Sequence, residues 1–181
     1  KMKYKITNPY LLLKYAYPCI EFWYKNRKLA LKIKENQAKE FYKAANPTLL
    51  KKLKSVAEGR EKFSKSLQKK LEKLIPFAIC FLSKLGKKSG NEVVIDEKTI
   101  RKYFCEFHRA LIKKQRKEFA QYKDVLELCE VKVARIIEIR RKRARVKIFR
   151  DGEREVRLDF IDNPKVGDRV RIHFFYACEK I

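Results

Sequence analysis

Apolar residues recur at helical spacing from Asn8 to about Val125, and from there to Phe174 they alternate with polar ones. Asn8-Pro9 predicts a helix start, an N-cap followed by proline at the first helical position. The helix covers residues 11–17, and Pro18 interrupts it with a kink or a break. Lys1 and Met2 lead directly into this helical pattern. A long helix follows over 21–45, with Phe22, Leu29, Ile33 and Tyr42 near helical spacing and Lys25, Lys28, Lys32 and Lys39 facing elsewhere. Asn46-Pro47 ends it and caps the next. Short helices are predicted over 48–56 and 61–74, and an apolar one from Pro76 to 85. Residues 86–91 have the composition of a loop, and 93–95 that of a short extended piece. Asp96 then caps a helix running to about Tyr122, with Ile100, Phe104, Phe107, Leu111 and Phe119 on its apolar face.

The alternating half predicts four strands. Val131, Val133, Ile136 and Ile139 mark the first, and Ala144, Val146 and Ile148 the second. Val156, Leu158 and Phe160 mark the third, and Val170, Ile172 and Phe174 the fourth. Asp151-Gly152 is a hairpin signal, since glycine accepts the positive φ of a tight turn. Asn163-Pro164 and Gly167-Asp168 mark further turns. The expected fold is α+β: a helical domain over 1–127, then a small antiparallel OB-like β-barrel over 128–181.

Charge supports that division. Residues 1–127 carry 32 basic and 13 acidic side chains, with 27 Lys to 5 Arg; residues 128–181 carry 15 and 9, with 5 Lys to 10 Arg. The formal net charge of +25 attracts polyanions such as RNA, DNA, anionic membrane or an acidic protein. A solvated lysine-rich surface accounts for the same number. At 45% apolar and 12% aromatic residues the chain has enough to bury a core, which excludes wholesale disorder.

The five cysteines are Cys19, Cys80, Cys105, Cys129 and Cys178, an odd count with no Cys-x-x-Cys. No apolar run is long enough to span a bilayer and no signal peptide is evident, so the expectation is a cytoplasmic protein with reduced thiols. Cys80 falls in an apolar segment, where it is expected as a packed small hydrophobe.

The alternating half also carries a motif pattern. It opens Cys129-Glu130-Val131-Lys132-Val133-Ala134-Arg135-Ile136-Ile137-Glu138-Ile139 and closes Val166-Gly167-Asp168-Arg169-Val170-Arg171-Ile172-His173, then Tyr176-Ala177-Cys178-Glu179-Lys180. Arg154-Glu155-Val156-Arg157-Leu158-Asp159 lies between them. In register these blocks resemble the HypC/HupF family of hydrogenase assembly chaperones. Cys129, Glu138, His173, Ala177 and Lys180 stand at matching positions, and Arg154 to Leu158 resembles the family's Arg-x-Val-x-Leu strand. The chain differs in that Cys129 is internal and Val133-Ala134 replaces a Pro-Gly step. The resemblance implies a barrel whose cysteine helps carry an iron fragment to a hydrogenase precursor. Its partner would then be a protein client, and its only cofactor a transient iron fragment.

Each candidate has two readings. Cys129 and His173 are a partner- or metal-fragment-binding pair, or a packed structural thiol and a polar barrel residue. Cys105 and His108 sit at i and i+3 on one helix face, a spacing able to hold zinc but lacking a second pair. Arg109, Lys113, Lys114, Arg116 and Lys117 on the basic helix, with Arg143 and Arg145 on the second strand, are the candidates for nucleic-acid binding. Phe174, Phe175 and Tyr176 are able to stack bases, or to fill the barrel core. No Gly-rich phosphate loop, nucleophile elbow or paired-carboxylate signature occurs, so no catalytic residue and no enzyme is expected. Two functions follow: an assembly factor for a metalloenzyme, and a nucleic-acid-binding protein.

Overall fold

In a computed structural model of the chain, residues 3–33, 35–114 and 122–181 are described, save the side chains of Arg109, Ile112 and Lys113. The chain divides into two compact units, Lys1–Phe107 and His108–Ile181. The first is mostly helical and the second contains a closed barrel. The division falls before the expected boundary at 127/128, since the helices His108–Lys114 and Lys123–Cys129 belong to the second unit. Among the described residues no helix is long and apolar enough to cross a membrane.

The first unit runs β1 (Lys3–Ile6), α1 (Pro9–Lys25), α2 (Arg27–Ile33), α3 (Glu35–Ala44), α4 (Pro47–Ala57), α5 (Lys65–Leu74), α6 (Pro76–Leu85), β2 (Lys87–Ser89), β3 (Glu92–Ile95), α7 (Glu97–Lys102) and a π-helical turn (Tyr103–Phe107). The local signals sit where the sequence puts them. Asn8, Asn46 and Asp96 accept hydrogen bonds from the N–H groups of Leu11, Leu49 and Thr99 at 2.9, 2.9 and 2.8 Å. Each satisfies a donor that the first helical turn leaves open. Leu12, Leu13, Tyr15, Leu53, Leu71, Leu82, Ile95 and Ile100 are wholly buried, and Tyr15 stacks on Phe104 at 5.3 Å.

Several expectations are corrected here. Pro18 does not break α1: Tyr15, Ala16, Tyr17, Pro18 and Ile20 are all buried, and that packing outweighs the roughly 3 kcal/mol an interior proline costs. The helix expected over 21–45 is three pieces. Asn26 donates both its backbone N–H and its amide to the carbonyl of Phe22, ending α1. The Tyr42 hydroxyl then donates to the carbonyl of Trp23, laying α3 back on α1. Residues 3–6, expected to be helical, pair in parallel with β3, and the expected loop 86–91 is largely a hairpin of β2 on β3 with Gly90 at φ 56°. Cys80 is exposed, because the buried stripe of α6 is Ile79, Leu82 and Ser83. The π-helical turn shifts the apolar face expected from Asp96 onward, burying Tyr103 and Phe104 and leaving Phe107 exposed.

The second unit runs α8 (His108–Lys114), α9 (Lys123–Cys129), β4 (Lys132–Arg140), β5 (Arg143–Ile148), β6 (Gly152–Arg157), β7 (Arg169–His173) and β8 (Tyr176–Lys180). The barrel order is β4-β5-β6-β8-β7, closed by β7 on β4. One seam departs from the expected antiparallel pattern: β6 meets β8 in parallel at Arg157 and Tyr176. The cause is the crossing between β6 and β7, after which the β7–β8 hairpin returns the chain in the direction of β6. Along β5 the alternation holds, with Ala144, Val146 and Ile148 inside and Arg143, Arg145 and Lys147 outside. They join Ala134, Ile136, Val156, Leu158, Val170, Ile172 and Ala177 in the core. The third strand ends at Arg157, ahead of Leu158 and Phe160, which are buried beyond it. The strand β8 was not anticipated as a separate element, because Tyr176, Ala177 and Cys178 are buried in succession and show no alternation.

Candidate metal centre

Three side chains of the second unit converge. His173 ends β7, whose alternation sends Val170 and Ile172 into the barrel and places His173 on the opposite face. It is nevertheless wholly buried. Cys129 ends α9 and is 7% exposed. The two elements are fastened by the N–H of Phe174, which donates to the carbonyl of Leu128 at 2.8 Å. That bond satisfies one of the carbonyls a helix C-terminus leaves open, and it sets Cys129 beside the β7–β8 turn.

His108, the first residue of α8, completes the group. Its Nε2 lies 3.8 Å from Cys129 Sγ, and its ring meets that of His173 edge to face, centroids 5.7 Å apart at 86°. One ligand atom from each of His108, Cys129 and His173 lies within 4.8 Å of the others. The residue His108 is half-buried as a whole, but its Nδ1 is out of contact with solvent. Burial first, and the neighbouring His173 second, push its pKa down from 6.5 to about 3. The imidazole is therefore neutral near pH 7, the form that offers a lone pair to a metal.

Cys129 and His173, matched to one family pattern, are thus brought together. Cys105 is not in the group: it belongs to the first unit, within the π-helical turn, where residues three apart no longer share a face as they do in an α-helix. Sequence reasoning placed His108 with Cys105 and missed its place beside Cys129. One signal was available: the chain has 2 histidines, and both are in this group.

Of the seven nucleic-acid candidates, Lys114, Arg143 and Arg145 have described side chains. Arg116 and Lys117 lie outside the described residues; Arg109 and Lys113 belong to α8, with their side chains outside the description, and Lys114 is exposed at its end. On the barrel, Arg143 pairs with Glu155 at 2.6 Å, and Arg145 with Glu138 and Glu153 at 3.1 and 3.6 Å. Phe174 and Tyr176 are core residues, and Phe175 is exposed.

No family model, no curated protein and no solved structure matches the chain.

Proposed function

We propose that this protein is a HypC-like assembly factor for a metalloenzyme of the hydrogenase type, acting by binding a protein client and presenting a metal fragment at Cys129 and His173. The observation that carries this reading is the convergence of these two residues, placed where the family's pattern has its cysteine and histidine, with ligand atoms within 4.8 Å. The fragment is cargo. A thiolate is a soft ligand and an imidazole a borderline one, a set that suits iron and does not suit magnesium or calcium. The chain's own part is to hold the fragment at two buried side chains and release it to a client, without chemistry on a substrate of its own.

The fold fits the same reading. The order β4-β5-β6-β8-β7, with one parallel seam between β6 and β8, is what an OB-like barrel requires, and we read the barrel as OB-like. The protein acts in the cytoplasm on this reading. Nucleic-acid binding is the second reading, favoured by Phe149, 80% exposed at the β5–β6 turn with the Arg150 guanidinium 5.1 Å from its ring centre.

Recovery of partners on the tagged full-length chain tests this. The expected result is a metalloenzyme precursor that co-purifies with the wild type and is lost with Cys129→Ser, while circular dichroism of the variant is unchanged. Equal recovery on both proteins would overturn the assembly reading. Recovery of particular RNA or DNA sequences in preference to others, unaffected by the Cys129→Ser change, would favour the second.

A further inference from the structure

We propose that His108, Cys129 and His173 together hold a divalent transition-metal ion within this one chain, as its three protein ligands among the described residues. This goes beyond the assembly reading in needing no client, and His108 lies outside the part of the chain that carries the family resemblance. Cys129 on α9 and His173 on β7 alone would need a partner to complete a site; a third ligand at the start of α8 removes that need.

The geometry is close to what an ion requires. Zinc–sulfur and zinc–nitrogen bonds of about 2.3 and 2.0–2.1 Å at tetrahedral angles put sulfur and nitrogen about 3.6 Å apart, and two nitrogens about 3.3 Å apart. Cys129 Sγ and His108 Nε2 are 3.8 Å apart, and no two of the three ligand atoms are further than 4.8 Å. Small side-chain rotations close the difference. The two imidazole planes stand at 86° with their centroids 5.7 Å apart, so the rings meet without stacking face to face. Each ligand is tied to a different element, α8, α9 or β7, and the Phe174–Leu128 hydrogen bond fixes the latter two against each other.

The donor set selects the ion class. One thiolate and two imidazoles suit zinc, cobalt(II) or iron(II), and not the oxygen-seeking cations. Among the described residues the cluster supplies three protein ligands, the number found in zinc sites that exchange a bound group. On binding, the Cys129 S–H bond breaks, the sulfur keeps the electron pair and donates it to the ion, and the proton passes to solvent.

The test is a titration of cobalt(II) chloride into the full-length, chelator-stripped chain under anaerobic conditions. The expected result is saturation at one equivalent, with thiolate-to-cobalt charge-transfer absorption and the strong visible bands of a four-coordinate ion, bleached by added zinc. Cys129→Ser is nearly isosteric and should abolish the charge-transfer band. His108→Ala should weaken binding by more than the roughly 10–100-fold that loss of an outer-shell partner costs. Cys105→Ser should titrate as the wild type. Paramagnetically shifted imidazole N–H resonances of the cobalt protein give a readout that needs no variant: two histidines should contribute. Absence of the charge-transfer band at one equivalent, or signals from fewer than two histidines, would overturn the proposal. A cobalt site without any recovered client sustains it and sinks the assembly reading; a Cys129-dependent client with no cobalt site does the reverse.

Discussion

Phe174 takes φ 50° in the two-residue turn between β7 and β8, a conformation that bulky side chains rarely adopt, and it is 1% exposed. Packing of its ring and the hydrogen bond from its N–H to Leu128 hold it there. Removing the ring should cost about 3–5 kcal/mol, as for other buried phenylalanines. The order of the replacements is diagnostic. Alanine keeps the left-handed strain of about 1–2 kcal/mol while glycine does not, so Phe174→Gly should be more stable than Phe174→Ala by about 1 kcal/mol. Urea denaturation of both variants checks it, and the ordinary ranking, alanine above glycine, would contradict the strain. At the next turn, Asp168 accepts a hydrogen bond from the Lys165 N–H at 2.8 Å and pairs with Lys180 at 2.7 Å. The bond from Lys180 first, and that from the Lys165 N–H second, lower its pKa below the ordinary 3.8. A depressed carboxylate stabilises the fold fully above its unfolded value and loses that contribution as the pH falls through the folded one. The difference in Tm between the wild type and Asp168→Asn should therefore be constant above pH 3.8 and shrink below it. A difference that grows on acidification would be the wrong sign. The same scale shows why the site was half legible. Cys129 and His173 stood out through a pattern of neighbours along the chain, whereas the partnership of His108 with them depends on packing that no local spacing encodes.

Among the elements, the helices with polar N-caps are the most securely specified. Asn46 follows a helix, precedes Pro47 and accepts the Leu49 N–H, so Asn46→Ala should cost about 1 kcal/mol of the first unit's stability. Thermal or urea unfolding measures this, and Asn46→Gly should cost only a few tenths. Such caps were readable because donor and acceptor are three residues apart. The strand β5 was readable too, since Ala144, Val146 and Ile148 alternate with charged residues on a sheet with one wet face. The elements missed are those fixed from a distance. Strand β1 has a half-exposed pattern that means little without β3, and β8 is buried on both sides, so its period disappears. The π-helical turn was invisible for another reason: one extra residue per turn changes which side chains are buried without changing composition.

At the scale of the whole molecule the dominant quantity is the net charge of +25. Any polyanion should be attracted at low ionic strength whatever the site does, and the strength of that attraction should fall linearly on a log–log plot against salt. Each phosphate neutralised contributes a slope of about −0.7 for single strands or −0.9 for duplex DNA. Filter binding of the full-length chain to single-stranded RNA and to duplex DNA should give steep slopes, little base preference, and no response to Cys129→Ser. A shallow slope with a marked sequence preference would instead mean directed base contacts and would promote the nucleic-acid reading from background to function. Both units are basic: 1–107 carries 26 Lys and Arg against 10 Asp and Glu, and 108–181, which holds the ligand cluster, carries 21 against 12.

The parallel pairing of β1 with β3 has a consequence for synthesis. Thr7 and Ile95, hydrogen-bonded at the end of that pairing, are 88 residues apart in sequence. A ribosome adds about 5–20 residues per second, so β1 emerges several seconds, up to about 18, before the strand it must meet. During that interval the backbone of Lys3–Ile6 lacks the strand it pairs with, and its link to the helices is the Tyr4 hydroxyl, which donates to Glu72 on α5. A nascent chain stalled before Glu92 should therefore be cut by protease near its start, and one stalled well past the end of β3 should resist.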